Sequence, residues 1–407
     1  MFSKFGKAAG AWPSLKESLV MNSRLNTTAN AAGQGASRLI VVVDDEIEGD
    51  KRVAAFIERL GAGKSVHVVD IRAPGAGGVL QIMAALAGFT RLLAGGLRAG
   101  FRKRQKIQHL LDKERFVSKG FVRSLQWLWR ACRSRRRIAD MAPGAADMIY
   151  AADLHAALAA TMGAPADVPM LYDSHELQIH RNRKKDKLRI LLEFGLERMV
   201  ISRADDVATV CAPIAGLLES WHDLAPGSIE IVHNNFYAPQ PLPDPLPGPD
   251  APPAIVYVGM GLIGRGLEKL DTEELPFIFR VYTLGRELPP SLKGRAWSFG
   301  PVDYLEDLKA FRRRHRCMMW CAAEPSCLSY ELSLPNKFFQ ALALGMPIIA
   351  TPGTYLAELI SRYDIGMTDE GLSLEDIARA MRAPDFERWV KNAVQLQQLL
   401  RAGQVRL

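Results

Sequence analysis

The chain reads as an α/β protein made of two Rossmann-like, doubly wound parallel-sheet domains that face a cleft. Three features predict this. Short β-branched runs alternate with amphipathic helical stretches from residue 38 onward, the mark of βαβ units. A proline-dense stretch, APQPLPDPLPGPDAPPA from Ala238, interrupts the alternation. So many prolines can continue neither a helix nor a central strand. The alternation then restarts at Ala254 with a strand that runs into glycines. Sheets of this kind bind ligands at their carboxyl ends.

The elements follow in order. Arg38 to Val43 (RLIVVV) is a strand of the type buried on both faces of a parallel sheet. A polar loop, DDEIEGDKRV, leads to a helix from about Lys51 to Leu60, which Gly61 closes, and to a second strand at Ser65 to Val69. The pattern resumes with strands at Met148 to Tyr150, Pro169 to Tyr172, Val207 to Cys211 and Ile229 to Val232. Helices at Leu154 to Met162 and Lys187 to Ser202 lie between them. The second half carries strands at Ala254 to Gly259, Phe277 to Leu284, Cys317 to Cys321 and Pro347 to Thr351. The domains therefore read as a disordered tail (1–36), a first domain (37–237), a stiff linker (238–253) and a second domain (254–384). A final helical segment (385–407) is expected to pack across the interface.

Composition agrees with two ordinary cores: 407 residues, 48% hydrophobic and 24% charged. The formal net charge of +8 suits a partner that is nucleic acid, anionic lipid or a phosphorylated ligand. The five cysteines form no CxxC pair and fit a reducing compartment. No apolar run reaches the roughly 18 residues of a membrane span, and the N-terminus lacks an apolar signal core. A cytoplasmic protein is expected.

Two stretches carry chemistry. Glu324 to Thr351, EPSCLSYELSLPNKFFQALALGMPIIAT, reads as a polar loop to Asn336, a helix from Lys337 to Leu344, a stop at Gly345 and a buried strand. A helix N-terminus facing a cleft suits a diphosphate; the bland alternative is one more loop–helix–strand unit. Val258 to Leu267, VGMGLIGRGL, is a glycine-rich strand-to-helix turn in which Arg265 could clamp phosphate oxygens.

GMGLIGRG, about seventy residues ahead of SLPNKFFQALALGMPIIAT, resembles the C-terminal domain of GT-B glycosyltransferases, most closely glycosyltransferase family 4. YDSHEL, RADDVATVCAPIAGLL and IVHNNF follow one another as family segments do, with His233 where a turn proline is usual. The resemblance spans about Arg38 to Leu400. It implies a retaining transfer of sugar from a nucleoside diphosphate to a hydroxyl, without metal or other cofactor. Gly259, Gly261 and Gly264 would form the donor loop, and Arg265 would contact the diphosphate. Met260 stands where a second basic residue is common. Glu324, Ser333, Leu334, Asn336 and Lys337 would lie along the donor sugar and phosphate. Gln340 takes the place of a ribose-binding glutamate, and the first glutamate of that pair falls near Glu331 or Leu332. His175 would reach the donor, with Glu176 beside it on the acceptor side. Gly49 bends the acceptor-side loop, and Asp50 either accepts from the acceptor hydroxyl or caps the next helix. Asn336 and Lys337 read equally as a plain cap and a solvated lysine.

The segment 97–137 lies outside the βαβ pattern. Basic residues dominate it, with Phe101, Phe116, Phe121, Trp127 and Trp129 between them. Such a mixture suits an anionic membrane surface that presents a lipid-linked or saccharide acceptor. The alternatives are a solvated helical pair with its aromatics in the core, and a nucleic-acid patch. No nucleic-acid partner is expected; the protein reads as peripheral on the inner face of a membrane. A nucleotide-sugar epimerase of the same fold and a non-catalytic partner protein are the rival functions.

Overall fold

The computed structural model describes residues 37–44, 51–72, 79–113, 118–181, 186–234, 247–259, 266–270, 274–282, 304–322 and 327–407. The expected tail 1–36, Gly49, Asp50, Met260, Gly261, Gly264, Arg265 and Glu324 lie outside these residues.

A six-stranded and a five-stranded sheet form, each wholly parallel. The first contains β1 (Arg38–Val43), β2 (Ser65–Asp70), β3 (Met148–Ala152), β4 (Met170–Ser174), β5 (Asp206–Thr209) and β6 (Glu230–Ile231), in the order β2-β1-β3-β4-β5-β6. The second contains β7 (Pro253–Val258), β8 (Ile278–Tyr282), β9 (Arg316–Trp320), β10 (Ile348–Ala350) and β11 (Gly366–Thr368), in the order β11-β10-β9-β7-β8. In both sheets the strand order thus reverses between the first and third strands of the domain, the switch point at which doubly wound sheets open a crevice. The expected strands all form, shifted by one or two residues at their ends. The linker is shorter than expected at its far end, because Pro253 already opens β7 at a position where its missing N–H costs no ladder bond.

In the first domain the helices are α1 (Lys51–Gly61), α2 (Val79–Arg102), α3 (Gln108–Lys113), α4 (Ser118–Asp140), α5 (Asp153–Gly163), α6 (Lys187–Arg203) and α7 (Ala212–His222). The basic segment forms much of α2 to α4, with α2 packed on α6 and α4 packed on α5. Phe116 lies outside the described residues, and the other aromatics divide. Phe121, Trp127 and Trp129 pack against the core, as the helical-pair alternative required, while Phe101 is 45% exposed. A helix buries one stripe, and here that stripe, packed mainly on neighbouring helices, takes Phe121, Trp127 and Trp129, while Arg98, Arg102, Arg123 and Arg130 stay exposed.

The second domain has α8 (Tyr304–Arg314), α9 (Leu328–Leu332), α10 (Asn336–Ala343), α11 (Tyr355–Tyr363), α12 (Leu374–Arg382) and α13 (Asp385–Arg401). The segment read as a continuous loop from Glu324 to Asn336 holds α9, one short turn whose polar surface gave no helical period. α13 packs on α10, α11 and α12 of its own domain, and after it, within the 385–407 segment, Leu407 is buried with its backbone oxygen accepting from Ala212 N of the first domain at 2.9 Å.

Candidate active site

The carboxyl-end segments of the two sheets meet. Leu328 N, at the start of α9 after β9, donates to His180 Nδ1 after β4 at 2.8 Å. Cys211 Sγ, after β5, lies 3.2 Å from Leu332 O at the far end of α9. The His233 ring lies 5.7 Å from that of Phe339 on α10.

On the first domain the centre is Asp173, fully buried near the end of β4. Arg52, from the first turn of α1, grips it with Nε on Oδ2 at 2.8 Å and Nη2 on Oδ1. Tyr150 OH donates to Oδ2 at 2.8 Å, and His175 Nε2 lies 2.9 Å from the same oxygen. Burial pushes the Asp173 carboxyl up, but the charges of Arg52 and His175 and their hydrogen bonds outweigh it and hold the group well below the usual carboxylate range. The His175 ring is therefore held by a carboxylate and lies 3.4 Å from a phenol, Tyr150 OH.

Around it lie further polar groups at the exits of β1, β3 and β4. Asp153 sits at φ 67°, a left-handed conformation that Asp tolerates. Its Oδ1 accepts from His175 N at 3.3 Å and its Oδ2 from Arg181 Nη1 at 3.2 Å. Arg181 Nε also pairs with Glu176 at 3.0 Å. Burial lowers the Arg181 pKa, and the carboxylates of Asp153, Glu176 and Asp44 more than restore it, so the guanidinium stays charged. Asp44 Oδ2 meets His155 Nδ1 at 3.2 Å at the β1/β3 switch point, and the His155 ring stacks on Trp127 at 5.2 Å.

On the second domain, Lys337 from the first turn of α10 is buried, with Nζ 4.4 Å from the centre of the Tyr257 ring on β7. Lys337 is packed over an aromatic face rather than in solvent, so the solvated-lysine reading is corrected. Asn336 is exposed and the cap position belongs to Pro335, which corrects the reading of Asn336 as the cap. Gly259 joins Lys337 here, since the Tyr257 hydroxyl lies beside it. Gly266, at φ 76°, closes the loop after β7; a side chain there would stand 2.7 Å from Ala322 O at the end of β9. Gly266 therefore lies beside β9 at the switch point of the second sheet. Gln340 is buried on α10, three residues along from Lys337. Ser333 and Leu334 join α9 to α10, and Glu331 lies on α9.

The structure thus gathers His175 and Glu176 on one side, and Gly259, Lys337 and Gln340 on the other. Sequence reasoning missed Arg52, Tyr150, Asp153, Asp173 and Tyr257. Asp173 alone left a signal, as the first acidic residue of YDSHEL. Among the described residues, no group of three or more His, Cys, Asp or Glu side chains is placed to hold a metal ion.

No protein-family model matches the chain. No curated protein matches it either. Solved structures do. WaaG, a glycosyltransferase involved in lipopolysaccharide biosynthesis, aligns over 89% of this chain and 95% of its own with a TM-score of 0.53 at 10% identity. HepE of Anabaena, in complex with UDP and glucose, aligns over 90% and 95% with a TM-score of 0.54 at 12% identity. The protein has the GT-B fold. Against TarM, the chain spans 57% of that protein's length, with a TM-score of 0.47. The Asp173 network lies at the carboxyl end of the first sheet and the Lys337–Tyr257 pair at that of the second.

Proposed function

We propose that this protein is a glycosyltransferase that moves a sugar from a nucleoside diphosphate to a hydroxyl of a lipid-linked or saccharide acceptor. The observation that carries the reading is the meeting of the two carboxyl edges, with a buried cation on one and an ordered histidine–carboxylate network on the other. Bond breaking at the donor places growing negative charge on the leaving diphosphate. Lys337 and the first-turn N–H groups of α10 stabilise that charge without reorganising, as fixed donors in a site that excludes water do. Arg265, from the loop after β7, adds a second cation. The family 4 resemblance makes retention the expected outcome. A same-fold epimerase requires a carboxylate open to proton transfer. Asp153 and Glu176 are both ion-paired to Arg181, and Asp44 is in hydrogen-bond contact with His155, which favours the transferase.

The donor half is tested by thermal shift against nucleoside diphosphates. The UDP complex of HepE makes UDP the expected ligand. Saturation at about 100 times Kd adds roughly 2.7 kcal/mol to the folded state, and Lys337→Ala and Arg265→Ala lose that gain. Arg265→Ala also lowers turnover by about 10²–10³-fold, as loss of one donor to a developing anion does. Full turnover in Arg265→Ala removes that residue from the site.

The acceptor half places the α2–α4 surface on an anionic membrane. Arg98, Arg102, Arg104, Arg123 and Arg130 are exposed there, with Phe101 and Val122. Among the described residues no helix is long and apolar enough to cross a membrane. Each surface cation is worth about 1 kcal/mol at an anionic leaflet. Binding to anionic but not neutral vesicles is expected, weakening with salt, and Arg123→Glu with Arg130→Glu reduces it. Equal binding to both kinds of vesicle rejects the membrane surface.

A further inference from the structure

The seam between the domains is hydrogen-bonded in an unusual way: two of its backbone N–H donors end on imidazole nitrogen. Leu328 N donates to His180 Nδ1 at 2.8 Å. Leu407 N, on the segment that leaves the second domain after α13, donates to His233 Nε2 at 3.2 Å. An imidazole nitrogen accepts only while it carries no proton. The other nitrogen of His233 lies 3.0 Å from Val210 O, which can only accept. His233 is therefore neutral with its proton on Nδ1, whereas His180 when neutral carries it on Nε2. The two rings are opposite tautomers, each fixed by what it must do across the seam.

We propose that His180 and His233 form an acid-released latch between the two domains, closed while both rings are neutral and opened when either takes up a proton. Protonation would set an N–H against the N–H of Leu328 or Leu407. It would break the same contacts that bring α9 and residue 407 onto the first domain, so the charge change acts on the cleft that the seam closes.

The surroundings of His233 oppose a proton. Burial lowers its pKa first, the Val210 carbonyl offsets part of that, and the cations Arg52 (α1) and Arg406 (beside Leu407) lower it further. The neighbouring Cys211 thiol is pushed up to about 12 by burial and brings no negative charge. His180 lies beside Arg181, which is paired with Asp153 and Glu176. The packed α6 contributes Asp186, which caps that helix, and the Arg189–Glu193 pair. The packed α9 contributes Glu331. For His233, the folded-state pKa is below the unfolded value of about 6.5. Its stabilising contribution is thus complete above that pH and lost as pH falls through the folded value. One linked proton shifts the open-to-closed ratio by about tenfold per pH unit, and two by up to about a hundredfold.

The test uses the full chain without substrate, so it stands or falls apart from the transferase reading. Imidazole nitrogen shifts at pH 8 are expected to show Nδ1–H at His233 and Nε2–H at His180. Small-angle scattering between pH 8 and pH 5 is expected to show the radius of gyration rising as those rings titrate, while far-ultraviolet circular dichroism stays constant. His180→Asn with His233→Gln keeps an acceptor oxygen near each accepting nitrogen and removes the titration; this variant remains closed at pH 5. Matching tautomers, or an unchanged radius in the unmodified protein, overturn the latch, and these readings decide it even if the variant fails to fold. Opening of a folded double variant at the same pH overturns it too.

Discussion

Arg52→Ala will lower stability by about 3–5 kcal/mol in urea unfolding at pH 7, the range expected when one partner of a buried ion pair is removed. Both charges are out of water: Arg52 is 5% exposed at its side chain and Asp173 is 0%. Without the guanidinium, Asp173 keeps only Tyr150 OH and His175 as donors, and Arg52 no longer holds the Val232 carbonyl. The pH dependence separates this cause from lost packing. In the intact protein the Asp173 pKa is depressed in the folded state, so the unfolded chain binds more protons at low pH. The contribution is complete above about pH 4 and disappears as pH falls further. In Arg52→Ala, burial raises the same pKa, so the folded form binds more protons and the deficit narrows on acidification. Arg52→Met with Asp173→Asn removes both charges and regains more than half of the loss. A double variant as unstable as the single one would show that the orphaned carboxylate is not the cause.

That pair also shows where sequence reading ends. Arg52 and Asp173 are 121 residues apart, and nothing in KRVAAF marks its arginine for the interior; an amphipathic helix is expected to put that side chain outside. Strands were easier. RLIVVV and AIVYVG are short, β-branched and bounded by loops, and a strand buried on both faces has no other composition open to it. Proline density between the halves is a local signal of the same strength. α9 left no trace because a five-residue turn offers too few positions for a 3.6-residue period. The second domain's part of the candidate site was legible in part for a related reason. GMGLIGRG and LPNKFFQALALG are local motifs, whereas the burial of Lys337 depends on Tyr257, eighty residues upstream in β7. The paired histidines of the seam were beyond reach, since a tautomer is set by partners on three different segments. His233 attracted notice only as a departure from a turn proline.

Gly195→Ala is expected to destabilise the protein by about 3 kcal/mol or more, although it adds one methyl group to a helix. At an open helical site the same change stabilises by up to about 1 kcal/mol, because alanine is the better helix former. Here the sign reverses because α6 meets α2 backbone to backbone. A Cβ on Gly195 would stand 1.8 Å from Gly96 O and 2.8 Å from Gly100 N, and a Cβ on Gly100 would stand 2.0 Å from Leu191 O. No rotamer relieves a clash between main chains, so the helices must separate along their whole contact, beyond the usual 1–3 kcal/mol of overpacking. Gly95→Ala is the internal control. Its Cβ would meet only the flexible Met199 side chain, at 3.6 Å, so a neutral or slightly stabilising change is expected from this position on the facing helix α2, next to Gly96 in the same crossing. The pair of measurements also bears on the site. α2 belongs to the basic surface, and α6 lies against β4, whose exit holds Asp173 and His175. If the crossing is the rigid joint between them, Gly195→Ala impairs donor turnover and vesicle binding together, at temperatures where Gly95→Ala leaves both intact. Equal melting temperatures for the two variants would mean that the helices can part without cost, and the joint would have to be sought elsewhere.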